Sequence, residues 1–268
     1  MRRLALALIL CLAAPAAAQE AAPVEVDLHL VLAVDVSRSM SPRELEIQRR
    51  GYAEALTSSE VLGAILAGPL RRIALTYVEW AGDSAHRVVV DWTLVASEAD
   101  ARAVAARITG AERLNMRRTS ISGALTFAHL RLGLSPFAGW RQVIDISGDG
   151  PNNQGRPVLA ARDDVLAAGV TINGLPLMTR DGAGGQWQID DLDLYYRDCV
   201  IGGPGAFVIP VRDWSEFPGA VRRKLVLEIS GLAAAGLHQA QLAVPGPGYD
   251  CLIGERIRER ERLYWNSP

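Results

Sequence analysis

The chain has 268 residues, with 28 basic and 30 acidic side chains, four histidines and a formal net charge of −2. This balance lacks the basic surface that binding to nucleic acid requires, so we expect no nucleic-acid partner. Hydrophobic residues make up 49% of the chain, which is enough for one large domain with a well-buried core.

The first 18 residues predict a signal peptide that is cleaved on export. Arg2 and Arg3 precede an apolar run from Leu4 to Ala14, and the small residues 16–18 stand before Gln19. The alternative, an N-terminal membrane anchor, needs a longer apolar run to cross a bilayer. Cleavage leaves 26 basic and 30 acidic residues, a net charge of −4. We therefore expect a periplasmic or secreted protein without a membrane span.

Downstream, apolar runs of strand length alternate with amphipathic segments of helix length, as in an α/β fold. In chain order, the first half predicts a buried strand (Leu28–Val36) and a helix (Ser41–Leu66). An antiparallel hairpin (Arg72–Trp80 with Arg87–Leu94) and a second helix (Ser97–Ile108) follow. The second half predicts helices and strands in alternation: Ser120–Leu132, Gln142–Ser147, Val158–Ala168, Val170–Leu175, Ile189–Val200, Ala206–Val211 and Trp214–Ser230. The expected fold is a doubly wound, mainly parallel six-stranded sheet with one antiparallel edge strand, over residues 25–230.

Residues 231–268 differ in character from this region and are predicted to form a C-terminal extension. Pro and Gly alternate at positions 245–248, and the charged segment Gly254–Trp265 is typical of a solvated helix face. Cleavage leaves two cysteines, Cys199 and Cys251, and an even number in an oxidising compartment favours a disulfide. The alternative is two buried thiols. A disulfide would tie the extension to the main domain.

Three separate pieces of the sequence carry oxygen ligands at strand ends or helix starts. They are Asp35, Ser37 and Ser39 after the first buried strand, Thr119 before a helix, and Asp149 after the strand Gln142–Ser147. Because the carboxyl ends of parallel strands form the ligand crevice of such sheets, we expect these residues to converge. Oxygen-only ligands suit a hard cation, Mg²⁺ or Mn²⁺, and disfavour zinc or copper.

The arginines next to these positions, Arg38, Arg117 and Arg118, would attract an anionic group toward the bound ion. Two carboxylates cancel the charge of a divalent ion, so an acidic side chain from a partner would not be repelled. A simpler interpretation of residues 35–39 is a helix-capping turn without metal.

Other polar residues are predicted to lie outside the metal site. Asp145 stands within a buried strand, and we expect it to bond to neighbouring backbone or serine. The histidines match no metal-ligand spacing: His29, His86, His129 and His238.

Asp35-x-Ser37-x-Ser39, Thr119 and Asp149-Gly150 together resemble the metal-ion-dependent adhesion site of von Willebrand factor A-type (vWA) domains, and the resemblance covers about residues 25–230. It implies a Rossmann-like fold, a bound divalent cation and metal-dependent contact with a protein. Gly148 departs from the family pattern, which has Thr or Ser before this Asp-Gly. The string 147–153, with Tyr195 to Cys199, also resembles a secreted bacterial A-domain family of unassigned function.

The sequence favours a binding module, in which the metal accepts an acidic side chain of a protein partner, because no general base recurs beside the ligands. One alternative is a Mg²⁺-dependent hydrolase, such as a phosphatase with Asp35 as nucleophile. Such enzymes commonly need a second aspartate where this chain has Ser37, and a lysine, of which it has only Lys224. A second alternative is a metal-free structural A-like domain.

Overall fold

The computed structural model describes residues 22–112, 114, 116–179, 188–231 and 248–265. The predicted signal peptide and His238 lie outside the described residues. The strands are β1 (Val24–Val26), β2 (His29–Asp35), β3 (Ile73–Trp80), β4 (His86–Val95), β5 (Phe137–Gly139), β6 (Gln142–Gly148) and β7 (Thr171–Pro176). The α-helices are α1 (Pro42–Leu56), α2 (Ser59–Ala67), α3 (Glu98–Gly110), α4 (Ile121–Gly133), α5 (Val158–Ala167), α6 (Leu192–Tyr195), α7 (Phe217–Ser230) and α8 (Ile253–Trp265).

The central sheet has the strand order β4-β3-β2-β6-β7, and a separate parallel pair joins β1 to β5. Strands β3, β2, β6 and β7 are parallel, whereas β4 runs antiparallel to β3 at the edge. The prediction of a mainly parallel sheet with one antiparallel edge strand is confirmed.

The predicted sixth strand, Ala206–Val211, lies beside β7 without forming a regular strand. Ile209 N donates to Gly174 O at 3.0 Å, and Val211 N donates to Pro176 O at 3.0 Å. Pro176 has no N–H to donate between these two bonds, so the ladder is interrupted there. The segment therefore holds the sixth position through isolated bridges.

Both faces of the sheet are covered by helices, and β2 shows why. All seven of its residues are buried. Leu30 and Leu32 pack in the cluster that includes Phe217 of α7, whereas Val31 and Ala33 pack in the opposite cluster with α4 and α5. Because successive side chains of a strand point to opposite faces, a continuous apolar run is needed to fill both cores.

Two predicted helices differ from the structure. The segment Ser41–Leu66 divides into α1 and α2 because Ser58 caps a new helix, accepting a bond from Val61 N at 3.3 Å. The segment Ile189–Val200 contains only the short α6, which continues into a π-helical turn over Tyr196–Val200.

The C-terminal extension is fastened to the main domain by the predicted disulfide between Cys199 and Cys251, whose Cα atoms are 5.5 Å apart. Helix α8 is only partly the solvated helix that its charges predict. Glu255 accepts a bond from Asn152 Nδ2 at 2.7 Å, and Arg258 Nη1 donates to Asn153 O at 2.8 Å. In the described part of the chain, no helix is long and apolar enough to cross a membrane.

Candidate metal centre

The end of β2 presents Asp35 at the carboxyl edge of the sheet. Its side chain is fully buried, and Oδ1 accepts a bond from Ser37 N at 2.7 Å. The backbone carbonyl of Asp35 accepts from Gln48 Nε2 of α1 at 3.1 Å. This helix begins with a capping box, in which Ser41 and Glu44 each accept a bond from the other's backbone N–H. The loop from Asp35 to Ser41 is thus fixed at both ends.

A chain of hydroxyl groups joins this loop to Asp149 on the loop after β6. The Oγ atoms of Ser37 and Ser39 are 2.8 Å apart, and Ser39 Oγ donates to Asp149 Oδ1 at 2.8 Å. Asp35, Ser37, Ser39 and Asp149, four of the five predicted ligands, are therefore brought together across 110 positions of sequence.

Thr119 is connected to the same loop through its backbone. Its N–H donates to Asn153 Oδ1 at 3.1 Å, and its carbonyl accepts from Asn153 N at 2.8 Å. Its side chain is buried, and the next residue, Ser120, caps α4. All three sequence pieces therefore meet at one edge of the sheet, with Asn153 as a link that the sequence analysis missed.

The electrostatics at this edge favour a cation. Burial raises the pKa of Asp35 well above its ordinary value, and the nearby Asp149 raises it further. Burial also raises the pKa of Asp149, to about 6. Asp35 Oδ2 is buried without a hydrogen-bond partner among the described residues. Two crowded carboxyls, one with an unpaired oxygen, fit a hard divalent ion, which would neutralise them.

Gly148 stands where the family pattern has Thr or Ser, and side chains from other segments surround it closely. A Cβ atom on Gly148 would lie 2.9 Å from both Asp35 Oδ2 and Tyr196 Oη, and 3.3 Å from Trp80 Cζ2. Tyr196 is fully buried on the π-helical turn, and its hydroxyl has no hydrogen-bond partner in the described structure. Glycine at position 148 thus allows a tyrosine hydroxyl to lie near a candidate ligand, at a place too crowded for a larger residue.

A buried ion cluster supports the segment before Thr119. Arg49 of α1 pairs with Glu79 Oε1 at 2.6 Å, and Arg87 pairs with Glu79 Oε2. The Arg49 guanidinium also donates to the carbonyls of Ala111 and Glu112 at 2.7 and 2.8 Å. Sequence reasoning missed this cluster, although a glutamate within the apolar run of β3 was a signal for it.

The three arginines predicted to face a partner, Arg38, Arg117 and Arg118, are exposed. Arg258 of α8 lies near Arg118. Burial lowers the pKa of Arg258, and repulsion from the Arg118 guanidinium lowers it further. The extension therefore adds a cation to this surface.

Asp145 differs from expectation, because it contacts Lys224 Nζ at 2.6 Å rather than backbone or serine. Two of the three described histidines contact neighbouring side chains: His29 lies 3.1 Å from Ser135 Oγ, and His86 stacks on Phe127 at 4.7 Å. Within the described ranges, no group of three or more His, Cys, Asp or Glu side chains forms a metal site.

The family model described as a protein of unknown function, DUF1194, matches residues 25–233 of the chain. In a comparison with curated proteins, none matches this chain.

Several solved structures share the fold at low sequence identity. Proximal thread matrix protein 1 from the mussel byssus is 13% identical, with a TM-score of 0.54 over 77% of this chain and 48% of that chain. The pilus adhesin SpaC from Lactobacillus rhamnosus GG is 11% identical, with a TM-score of 0.58 over 80% and 31%. A von Willebrand factor type A protein from Catenulispora acidiphila is 14% identical, with a TM-score of 0.54 over 76% and 43%. The match covers less than half of each of these chains, and it shows that this chain has the vWA fold.

Proposed function

Since the chain belongs to the DUF1194 family of proteins of unknown function, and since it has the vWA fold, we propose that it is an exported, metal-dependent binding protein. Its divalent cation, Mg²⁺ or Mn²⁺, is held by the candidate ligands, and the ion accepts an acidic side chain of a protein partner. The ligands are Asp35, Ser37, Ser39, Thr119 and Asp149. The observation that carries the proposal is the hydroxyl chain from Ser37 through Ser39 to Asp149.

The donor chemistry supports a hard cation. The five side chains offer two carboxylates and three hydroxyls, a set that Mg²⁺ and Mn²⁺ prefer over softer metals. A structure of the mussel thread protein is described with zinc in its metal-ion-dependent adhesion site (MIDAS) motif; it is 15% identical to this chain, with a TM-score of 0.53. This fold can therefore accommodate a divalent ion.

The charge around the site supports an acidic partner group. Two carboxylates balance the charge of the ion, while Arg38, Arg117 and Arg118 project from the surrounding loops. Long-range attraction by these arginines would speed the approach of an anionic partner. An acidic side chain can then complete the coordination of the ion.

The proposal includes the organisation of the chain. Residues 1–18 act as the export signal, residues 25–230 form the vWA domain, and residues 231–268 form the extension that the disulfide ties to it. A protein so arranged works in the periplasm or outside the cell, where the disulfide is stable.

Metal binding is tested by titrating the metal-free protein with Mn²⁺ and Mg²⁺ in a calorimeter, and by thermal unfolding. At a metal concentration of about 100 times Kd, the ion should stabilise the folded state by about 2.7 kcal/mol. Asp35→Ala should lose this gain, whereas Asp163→Ala, which removes a mostly exposed aspartate on α5, should keep it. No metal-dependent gain in the wild type, or an equal one in Asp35→Ala, would contradict the proposal.

The partner is tested by a pull-down from an envelope extract with Mg²⁺ and with a chelator, and with Asp35→Ala as control. A partner retained only by the wild type with Mg²⁺, and lost when one of its acidic residues is neutralised, supports the proposal. Steady hydrolysis of a generic phosphate ester that Asp35→Ala abolishes would instead favour a hydrolase.

A further inference from the structure

Three ionisable side chains lie together inside the core between the sheet and α7. Asp145 stands in the middle of β6, and Lys224 and Glu228 are one turn apart on α7. Lys224 and Asp145 are fully buried, and Glu228 is 2% exposed. Lys224 is also the only lysine in the chain. We call these three residues the core triad.

The contacts within the core triad bring an amine against a carboxyl group. Lys224 Nζ is 2.6 Å from Asp145 Oδ1 and donates a hydrogen bond to Glu228 Oε1. Neither oxygen of Asp145 has a hydrogen bond of ordinary geometry within the described residues, and Glu228 Oε2 has none either. The amine nitrogen is therefore in direct contact with the carboxyl group, at ion-pair distance.

The buried surroundings make it energetically costly to keep the three side chains of the core triad as separate ions. Phe207 places its ring centre 5.7 Å from Nζ, and Asn173 Nδ2 donates to Glu228 Oε1 at 3.0 Å. Burial raises the pKa of Glu228 to about 7 and raises that of Asp145. Removing three charged groups from water carries a large desolvation cost, which a neutral product would avoid.

We propose that Lys224 and Asp145 become joined by an intramolecular amide bond in the folded chain, with Glu228 as the proton carrier. Transfer of the Lys224 proton to Asp145 gives an amine and a carboxylic acid. Nζ then attacks Cγ of Asp145, and the Glu228 carboxylate accepts a proton from the nitrogen and delivers it to the departing hydroxyl. One C–N bond forms, one C–O bond breaks and one water leaves, without an oxidant or a cofactor.

The fold supplies what this reaction needs. Reactive groups held in contact behave as if at very high concentration, and the closed core keeps water from reversing the step. The bond would join the middle of β6, the strand that leads to Asp149, to α7 on the face of the sheet. The bond would form with or without a bound metal ion.

The intact mass of the purified, denatured wild-type protein tests the bond directly. The expected mass is lower by about 18 Da, one water, than that of the disulfide-bonded mature chain. Trypsin should fail to cleave after Lys224, and the peptide that contains it should remain joined to the peptide that contains Asp145. An intact mass without this loss would overturn the proposal. A cross-linked peptide that joins Lys224 to Asn173, with a loss of about 17 Da, one ammonia, would overturn the assignment to Asp145.

Variants test the role of Glu228. Glu228→Gln keeps the shape of the side chain but removes its acid, and should slow bond formation by about 100-fold or more. Glu216→Gln, at an exposed position before α7, should retain the full mass loss. Lys224→Met should show no loss. Complete bond formation in Glu228→Gln would remove Glu228 from the reaction.

Discussion

Replacing Tyr196 with Phe should weaken metal binding without weakening the metal-free fold. The Tyr196 hydroxyl and Asp35 Oδ2 each lie 2.9 Å from the same point, the Cβ position of Gly148. The two atoms are therefore less than about 6 Å apart, and each is buried without a partner among the described residues. We expect a hydrogen bond between these two atoms once a cation keeps Asp35 ionised. We therefore expect this tyrosine to supply the hydroxyl that the sequence lacks at position 148.

The expected magnitude follows from this geometry. A hydrogen bond to a charged group contributes about 1.5–3 kcal/mol, and losing the outer partner of a metal ligand lowers affinity about 10- to 100-fold. Tyr196→Phe should therefore weaken Mn²⁺ binding within that range. In the metal-free protein the variant removes an unpaired buried hydroxyl, so its free energy of unfolding should change by less than about 1 kcal/mol or increase.

Calorimetric titration with Mn²⁺ and thermal unfolding of the metal-free protein measure these two effects separately. Tyr77→Phe is the matched control, because Tyr77 is also fully buried with an unpaired hydroxyl but packs in the opposite core. Mn²⁺ affinity within about twofold of the wild type in Tyr196→Phe would refute the reasoning, since a lost outer partner costs far more.

Three further predictions concern the supports of the site. Replacing Cys199 and Cys251 together with Ser opens a link across 52 positions and should cost about 4 kcal/mol in urea unfolding; a cost below about 1 kcal/mol would show that the extension unfolds separately. Thr119→Val should weaken Mn²⁺ binding at an unchanged melting temperature, and unchanged affinity would remove Thr119 from the ligand set. Arg49→Met leaves the buried Glu79 with one cation instead of two and should cost about 3–5 kcal/mol by calorimetry; a cost near zero would show that the remaining arginine suffices.

The mainly parallel sheet with one antiparallel edge strand was predictable from the sequence because local signals and burial agree. The apolar run of β2 fits only a strand covered on both faces, and the short link between β3 and β4 permits only an antiparallel pair. The aspartates after β2 and β6 had to meet, because parallel strands end at one edge. Helix boundaries were less predictable: Ser58 caps a new helix in a segment whose apolar pattern continues without a break.

The partners of buried polar residues were not predictable, because they depend on which distant segments the fold brings together. Asp145 was expected to bond locally, but it meets Lys224, which lies 79 positions away on α7. From the sequence, Gly148 indicated only that the Thr or Ser hydroxyl of the family pattern is missing. The hydroxyl that lies near this position belongs to Tyr196, on a π-helical turn that the sequence pattern did not predict.

This π-helical turn connects the extension to the candidate metal centre. Tyr196 lies beside Asp35 at one end of the turn, and Cys199, three residues on, holds the extension through the disulfide. From there α8 reaches back to the loop after β6, where Arg258 binds the carbonyl of Asn153. Asn153 in turn fixes the backbone of Thr119. The extension therefore contacts the same loops that carry the candidate ligands, and its attachment belongs to the support of the site rather than to a separate module.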